Sequence, residues 1–229
     1  MHWSISALQL MVNIMKKQIK LVICRALEHI LSPLVNKQTE IVILDIALHV
    51  NPKTLRDRLN QEIAQIEKED VDILLGYGLC GRALEGVSSQ KSRLILPRVD
   101  DCVGAILGSR QNHQQMMSKY PGSYFLDPKW VDSELDIFVQ AQKGIERIPV
   151  ERRTDIIKMM LKHYSKIAFL GEKDENPEQF HRCQELAEKH DFNIICMPPD
   201  YSLLHRLING PWTDEHFVIA HPGEKIPFF

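Results

Sequence analysis

The sequence predicts an α/β protein with a mainly parallel sheet flanked by helices, in a Rossmann-like three-layer architecture. Short runs rich in Val, Ile and Leu alternate with stretches whose apolar residues recur at helical spacing. Along the first hundred residues the order is strand, helix, strand, helix, strand, glycine-rich turn, strand. This alternation is typical of parallel strands joined by right-handed crossovers. A chain of 229 residues is long enough for one such domain.

The first half of the chain contains four predicted strands. The second of them is apolar along nearly its whole length, as expected of a strand covered on both faces. After it, Asn51 and Pro52 form a favourable helix start, with Asn51 as the N-cap. The predicted strands span residues 19–24, 41–48, 72–75 and 93–96, and the predicted helices span 25–35, a segment from Pro52, and 101–117.

The second half repeats the alternation after an irregular stretch. Residues 120–130 contain Pro and several aromatic residues, which indicates a loop packed over another part of the protein. Helices are predicted at 133–143, 150–164, 177–190 and 201–208, and strands at 166–170, 193–197 and 217–220. We expect one α/β domain over residues 18–229, with a subdivision near 131–150, and an N-terminal extension over residues 1–17.

Composition excludes several classes of protein. A net charge of −2 and a pI near 6.6 give no general reason to bind nucleic acid or an anionic membrane. No run approaches the ~18 apolar residues of a membrane span. The first 17 residues have their lysines after the apolar patch, the wrong order for a secretory signal. We therefore expect a cytoplasmic protein.

Cysteine and histidine side chains follow the predicted strands. Cys24 ends the first strand, His49 follows the second, Cys80 lies on the glycine turn after the third, and Cys102 follows the fourth. The carboxyl ends of parallel strands meet at one edge of a sheet, where ligands bind. Cys and His are zinc ligands, and three thiolates could also hold an iron–sulfur cluster. A cysteine near a strand end is, alternatively, a small buried hydrophobic residue.

The glycine turn also allows a second interpretation. Gly76, Gly78 and Gly81 match the G-x-G-x-x-G pattern of a dinucleotide-binding turn, with Asp100 or Asp101 about twenty residues later. The same glycines could instead permit a close backbone approach around a metal or substrate. NAD or another nucleotide is therefore the alternative cofactor.

Three further residues are candidates at this edge. Arg98 could hold a carboxylate or phosphate, or form a surface ion pair. Asp101 could act as a general base or orient a ligand, or it could cap the following helix. Tyr77, on the glycine turn, joins Asp101 as a candidate catalytic residue.

The chain resembles a family known as domain of unknown function 1638, found in methanogenic archaea and anaerobic bacteria. The resemblance is carried by Leu75-Gly-Tyr-Gly-Leu-Cys-Gly81, Pro97-Arg-Val-Asp-Asp-Cys102 and Leu107-Gly-Ser109, and continues to Leu207-Ile-Asn-Gly-Pro-Trp212. It covers nearly the whole chain from about residue 19. The family motifs align with Cys24, His49, Cys80 and Cys102. Lys129 departs from the pattern, where a glycine is expected before Trp130.

The resemblance implies a place near corrinoid-dependent methyl transfer or one-carbon metabolism. We therefore expect a metal-binding α/β protein whose Cys/His site, most simply a zinc site, is auxiliary to that chemistry. A metal-thiolate methyltransferase or its accessory protein would fit, with a corrinoid protein or methyltransferase as partner. The alternatives are a nucleotide-dependent enzyme, and a non-catalytic module that binds a corrinoid or a methyltransferase.

Overall fold

The computed structural model describes residues 18–131, 133, 135, 136, 139 and 148–229. Their backbone forms two compact units: unit 1 contains residues 18–101 and Leu204–Phe229, and unit 2 contains Cys102–Leu203. The predicted extension 1–17 and most of the predicted helix 133–143 lie outside the described residues. A division into compact units does not test how many domains fold independently, so one domain over 18–229 with a subdivision near 131–150 stays a prediction.

Unit 1 is built on a five-stranded sheet in the order β2-β1-β3-β4-β8. The first four strands are parallel, and β8 pairs antiparallel with β4. The central strands β1 and β3 are almost entirely buried, which explains their nearly continuous apolar sequence. The strands are β1 Gln18–Cys24, β2 Ile41–Leu44, β3 Val71–Gly76, β4 Arg93–Pro97 and β8 Phe217–Ala220.

The strand order creates a crevice between β1 and β3. From β1 the chain proceeds to β2 on one side, and from β3 it proceeds to β4 on the other. The connections at the carboxyl ends of β1 and β3 therefore diverge, and in open α/β sheets ligands bind at this kind of switch point. Cys24 ends one of these strands, and the glycine turn follows the other.

The helices of unit 1 follow the sequence signals in part. Helix α2, Pro52–Ile66, begins as predicted, with the Asn51 side chain accepting from the Lys53 amide at 3.0 Å. The predicted helix 25–35 is wrong in extent: it is a 3-10 turn Arg25–Leu27, the short helix α1 Glu28–Leu31, and a second 3-10 turn Ser32–Leu34. Pro33 explains the interruption, because proline lacks an amide donor and disfavours helix at the preceding residue.

The second strand is shorter than predicted and lies at the edge of the sheet. It ends at Leu44 instead of residue 48, and its residues are mostly only half-buried. The Asp45 carboxylate accepts from the Ala47 amide at 2.8 Å and turns the chain into a 3-10 helix, Ile46–Val50. A side-chain acceptor of this kind competes with the neighbouring strand for the hydrogen bonds of the backbone amides.

Unit 2 is built on a three-stranded parallel sheet in the order β5-β6-β7. The chain returns to unit 1 at Leu204, within its last helix. The strands are β5 Ser123–Leu126, β6 Lys166–Phe169 and β7 Asn193–Cys196, and the helices are α3 Cys102–Ile106, α4 Arg110–Lys119, α5 Val150–Leu161 and α6 Pro177–His190. The last helix, α7 Ser202–Asn209, lies mostly in unit 1.

Two predictions for unit 2 are corrected. The predicted helix 101–117 is two helices, because Gly108 takes a positive φ of 78° and Ser109 then caps α4. The predicted loop 120–130 contains β5 and a 3-10 turn, Pro128–Trp130: β5 pairs with β6, and Phe125 and Trp130 are buried. The prediction of a mainly parallel α/β fold with flanking helices is confirmed. Among the described residues, the helices are too short or too polar to cross a membrane.

Candidate metal centre

Cys24 is the first side chain of the site. It is the last residue of β1, its side chain is fully buried, and it pairs with Leu44 at the end of β2. The chain turns immediately afterwards into the 3-10 turn that begins at Arg25. The central strand therefore fixes the position of this thiol at the carboxyl edge.

His49 reaches the same edge on the 3-10 helix Ile46–Val50, which follows β2. Its ring Nδ1 lies 3.1 Å from the carbonyl oxygen of Ile46. Because a carbonyl only accepts hydrogen bonds, Nδ1 carries a proton in this contact, and Nε2 is the ring nitrogen that can bind a metal once its own proton is lost. Nε2 lies 3.9 Å from the Cys24 Sγ. Metal-binding histidines commonly donate their other ring N–H to a carbonyl in this way.

The glycine turn brings Cys80 to the edge through close backbone packing. A Cβ on Gly76 would lie 2.5 Å from Leu31 Cδ1, and one on Gly78 would lie 2.5 Å from the Asp101 amide nitrogen. These glycines therefore make room for protein atoms of the core and of the segment after β4. The Cys80 amide donates to the Asp100 carbonyl at 2.8 Å, which joins the turn to that segment.

The turn continues through three successive residues with positive φ. Cys80 has a φ of 49°, Gly81 of 61° and Arg82 of 71°. Two non-glycine residues in the left-handed region carry a conformational cost that surrounding contacts must offset. Arg56 of α2 supplies such contacts, donating from Nη2 to the Arg82 carbonyl at 2.7 Å and from Nε to the Ala83 carbonyl at 3.3 Å.

Cys102 is joined by one peptide bond to Asp101, whose backbone packs against Gly78. Its side chain is 8% exposed. The Sγ atoms of Cys24 and Cys102 and a ring nitrogen of His49 all lie within 4.8 Å of one another. Within the part of the chain that the structure describes, this is the one Cys, His, Asp and Glu group that meets this distance limit.

The distances suit a metal ion. With Zn–S near 2.3 Å and Zn–N near 2.05 Å, two ligand atoms of a tetrahedral zinc ion lie about 3.6 Å apart. The observed Cys24–His49 separation of 3.9 Å is close to that value. Two thiols and an imidazole are also the donors that zinc prefers. These residues could therefore hold a metal ion, as the sequence predicted.

The electrostatics of His49 reflect the neighbouring sulfur atoms. Burial lowers the pKa of His49, because it penalises the charged imidazolium. Side-chain hydrogen bonds and negative charge from Cys24 and Cys80 act in the opposite direction and outweigh burial, so the pKa rises to about 10. Cys80 is therefore close enough to interact with His49, although it is not part of the group within 4.8 Å.

The two candidate catalytic residues lie next to these groups. Tyr77 is fully buried, and its ring stacks on His49 with a centroid separation of 6.1 Å and an interplanar angle of 19°. Asp101 lies between Cys102 and the Asp100 carbonyl that binds Cys80. It directly precedes α3, in keeping with the capping alternative. A catalytic role for either residue stays a prediction.

The surroundings of the three glycines and Arg98 do not favour a nucleotide, although that alternative stays a prediction. A dinucleotide turn leads into a helix whose N-terminus binds the phosphates. The described residues between Gly81 and β4 contain no helix, and the next one begins at Cys102. Arg98 donates from Nε to the Asp214 carbonyl at 2.9 Å and its guanidinium lies over the Phe229 ring, both within unit 1.

Sequence reasoning missed two contributors to the site. The Ile46 carbonyl orients His49, but a backbone group leaves no mark in the sequence. Arg56 is a half-buried residue of α2, where an arginine is ordinary, and only the fold brings it to the Cys80 turn. No local pattern could have identified either contact.

The fold and the site together define an α/β protein with a Cys/His group capable of binding a metal ion at the switch point of its larger sheet. The chain belongs to the family described as "Protein of unknown function (DUF1638)", whose model matches residues 43–208. The matched region includes His49, Cys80 and Cys102 and begins after Cys24. The resemblance given by the sequence motifs is thereby confirmed. No curated protein and no solved structure matches the chain.

Proposed function

We propose that this protein binds zinc through Cys24, His49 and Cys102, with Cys80 as the further candidate ligand, and that the metal serves thiol or methyl chemistry. The orientation of His49 is the observation that carries this proposal. Its Nδ1–H is directed at the Ile46 carbonyl, so Nε2, beside the Cys24 sulfur at 3.9 Å, is the ring nitrogen that can exchange its proton for a metal.

Burial of the two thiols means that their thiolates would need a compensating positive charge. Cys24 is fully buried and Cys102 nearly so, in a sheet edge where a free thiolate would be poorly solvated. A bound cation balances the charge of both thiolates at once, and metal binding is coupled to loss of their protons. Zinc accounts for the mixed sulfur and nitrogen ligands more simply than an iron–sulfur cluster, which is usually held by four thiolates.

The chemistry of such a site fits an auxiliary role in methyl transfer. A zinc ion bound by thiolates can activate a thiol as a nucleophile, or its own thiolate can accept a methyl group. The resemblance to a family near corrinoid-dependent methyltransferases supports a place in one-carbon metabolism, as a methyltransferase or its accessory protein. Its partner would be a corrinoid protein or a methyltransferase, and binding of the purified chain to a purified corrinoid protein tests this part.

Metal analysis of protein purified without oxygen tests the site itself. We expect about one zinc per wild-type chain, little or none in a Cys80→Ser/Cys102→Ser variant, and wild-type content in the control Cys196→Ser, whose thiol is exposed at the end of β7 in unit 2. Unchanged zinc in the double variant contradicts the proposal. A visible charge-transfer spectrum with bound iron would assign the site to iron–sulfur instead.

Calorimetry distinguishes the nucleotide alternative. Binding of NAD(H), NADP(H), ATP or S-adenosylmethionine, lost in a Gly81→Val variant, would favour an enzyme that uses Gly76, Gly78 and Gly81. Gly81 suits this test because a Cβ there approaches only Pro52 Cγ, at 4.0 Å, although its positive φ makes any side chain strained. Absence of binding to all four compounds removes the alternative.

A further inference from the structure

Tyr77 has a well-defined position at the switch point of the larger sheet. Ile23 of β1 pairs with Gly76 of β3, so the next residues of the two strands, Cys24 and Tyr77, follow at the ends of adjacent strands. The Tyr77 amide donates to the Leu75 carbonyl at 2.9 Å, and the Tyr77 side chain is fully buried. The sheet itself therefore positions this aromatic ring.

The backbone on both sides of Tyr77 is closely packed. A Cβ on Gly76 would lie 2.7 Å from Ile23 Cγ2, and a Cβ on Gly78 would lie 2.6 Å from Asp101 Cα. Protein interiors packed at this density resist displacement of the backbone. Close packing before and after Tyr77 therefore limits how far its ring can shift.

His49 has two side-chain dihedral angles, and a different contact restrains each of them. The hydrogen bond from Nδ1 to the Ile46 carbonyl, at 3.1 Å, sets the rotation of the ring about χ2. The Tyr77 ring stacks on the imidazole at a centroid separation of 6.1 Å and an interplanar angle of 19°, within the range of offset-stacked pairs. A change of χ1 would move the imidazole to another staggered position and out of this stack. The two contacts together keep Nε2 beside the Cys24 sulfur.

Resting on the proposed zinc site, we propose that Tyr77 is a positioning residue for His49 and acts through its aromatic ring. The stack selects one χ1 rotamer of His49 in the metal-free protein, so zinc binding does not have to order the imidazole. Ordering a side chain on binding costs free energy. Groups that orient a metal ligand commonly change metal affinity by roughly 10- to 100-fold.

The His49 rotamer is measured first, in the metal-free wild-type protein. Three-bond NMR couplings from the backbone nitrogen and the carbonyl carbon to the His49 Cγ report χ1. We expect the couplings of a single rotamer, because the stack forms without a metal. Averaged couplings, from two or more rotamers, overturn the inference. This measurement involves no metal, so its result does not depend on the proposed zinc site.

Three variants separate the Tyr77 ring from its hydroxyl and from general stability. Tyr77→Phe keeps the ring and should retain both the single His49 rotamer and the wild-type zinc affinity. Tyr77→Leu removes the ring, so it should give averaged couplings and weaken zinc binding about tenfold in competition with a chromogenic chelator. The control Phe169→Leu truncates a fully buried aromatic residue at the end of β6 in unit 2. It should destabilise the protein and leave the His49 couplings and zinc affinity unchanged.

The other possible results have distinct meanings. Equal losses of affinity in Tyr77→Phe and Tyr77→Leu assign the effect to the hydroxyl, and an equal loss in Phe169→Leu assigns it to stability; either result overturns the inference. So does a Tyr77→Leu protein with the wild-type rotamer and affinity. If Tyr77→Leu does not fold, Tyr77→Met replaces it, since a flexible methionine fills the space without a planar ring. Absence of zinc binding to the wild type overturns the metal site, while the wild-type couplings still test the positioning of His49.

Discussion

In each unit an edge strand is followed by the same aspartate-capped 3-10 turn, but the two turns have different roles. β2 and β5 are both edge strands, and each is followed by an aspartate that caps a 3-10 turn, Asp45 in unit 1 and Asp127 in unit 2. Each carboxylate accepts from the amide two residues later at 2.8 Å. The first turn carries His49, which is half-buried, and the second carries Trp130, which is 6% exposed.

The neighbouring strand decides what each turn can do. Beside β2, the strand β1 ends in Cys24, so His49 meets a thiol. Beside β5, the strand β6 ends in Phe169, and Leu170 follows, both fully buried. The capped turn is therefore the same in both units. The side chains at the ends of the two adjacent strands determine whether the turn contributes to a ligand group or to a hydrophobic core.

The largest expected contrast between the units is in histidine titration. In the metal-free protein the pKa of His49 is raised to about 10, because Cys24 and Cys80 outweigh the effect of burial, whereas burial and then the Lys189 charge lower the pKa of His190 in unit 2. Since His49 has the higher pKa when folded, its stabilisation is complete below about pH 6.5 and is lost as the pH rises towards about 10. NMR titration of the two imidazoles measures both directions.

Zinc supplies the control for that titration. A metal bound to Nε2 excludes a proton there, so the His49 transition should disappear in the zinc-loaded protein while that of His190 is unchanged. A His49 pKa below 6.5 in the metal-free protein would show that its ring does not interact with the thiols as the structure indicates.

Glycine substitution should affect the first unit more than the second. A Cβ on Gly78 would lie 2.5 Å from the Asp101 backbone, which cannot move without displacing Cys102, so Gly78→Ala should cost about 3 kcal/mol of folding free energy. In Gly171→Ala the nearest atom is the Pro128 side chain at 2.9 Å, and we expect about 1 kcal/mol. Urea denaturation measures both, and a larger loss in Gly171→Ala contradicts the comparison.

Metal binding should stabilise one sheet edge and not the other. Zinc at a hundredfold excess over its Kd stabilises the state that binds it by about 2.7 kcal/mol. Hydrogen exchange should therefore slow at the ends of β1 and β3 and remain the same in β5, β6 and β7. Cys24→Ser is the matched control and should show no zinc effect, and equal protection of both sheets would place the metal elsewhere.

The smallest expected effect is at the two aspartates themselves. Asp45→Ala removes the cap of the turn that carries His49, at a cost of about 1 kcal/mol, which corresponds to a roughly fivefold weaker zinc affinity if the turn loosens. Asp127→Ala should leave zinc affinity unchanged, and Asp45→Asn should retain most of it because the amide oxygen still accepts. Competition with a chromogenic chelator measures these affinities, and a loss in Asp127→Ala refutes the assignment.

The sequence predicted those features that depend on local pattern. Alternating strands and helices follow from hydrophobic spacing, and the Asn51-Pro52 start of α2 follows from capping chemistry. The alternation also implies parallel strands, which is why Cys24, His49 and Cys102 could be assigned to one edge before their distances were known. The parallel pairing of β1 with β2 and β3 agrees with that reasoning.

The errors arose where a single side chain redirects the backbone. The apolar residues that begin at Ile41 continue past Leu44, but the strand ends there because the Asp45 carboxylate accepts a hydrogen bond from the backbone that follows. A hydrophobic pattern contains no information about that hydrogen bond. Gly108 divides a predicted helix in the same way, because its positive φ is set by what surrounds it. A Cβ there would lie 2.4 Å from the Asp200 carboxylate, a residue far away along the chain.

Periodicity, motifs and composition were enough to predict the fold class, the family and the residue types at the sheet edge. They could not show which cysteines lie close together or which nitrogen of His49 faces the Cys24 sulfur, and these follow from the folded arrangement. Coordination depends on separations of a few ångströms between side chains that are 25 or more positions apart in the chain. Backbone contacts fix those separations, and the residues that make these contacts carry no recognisable sequence signal.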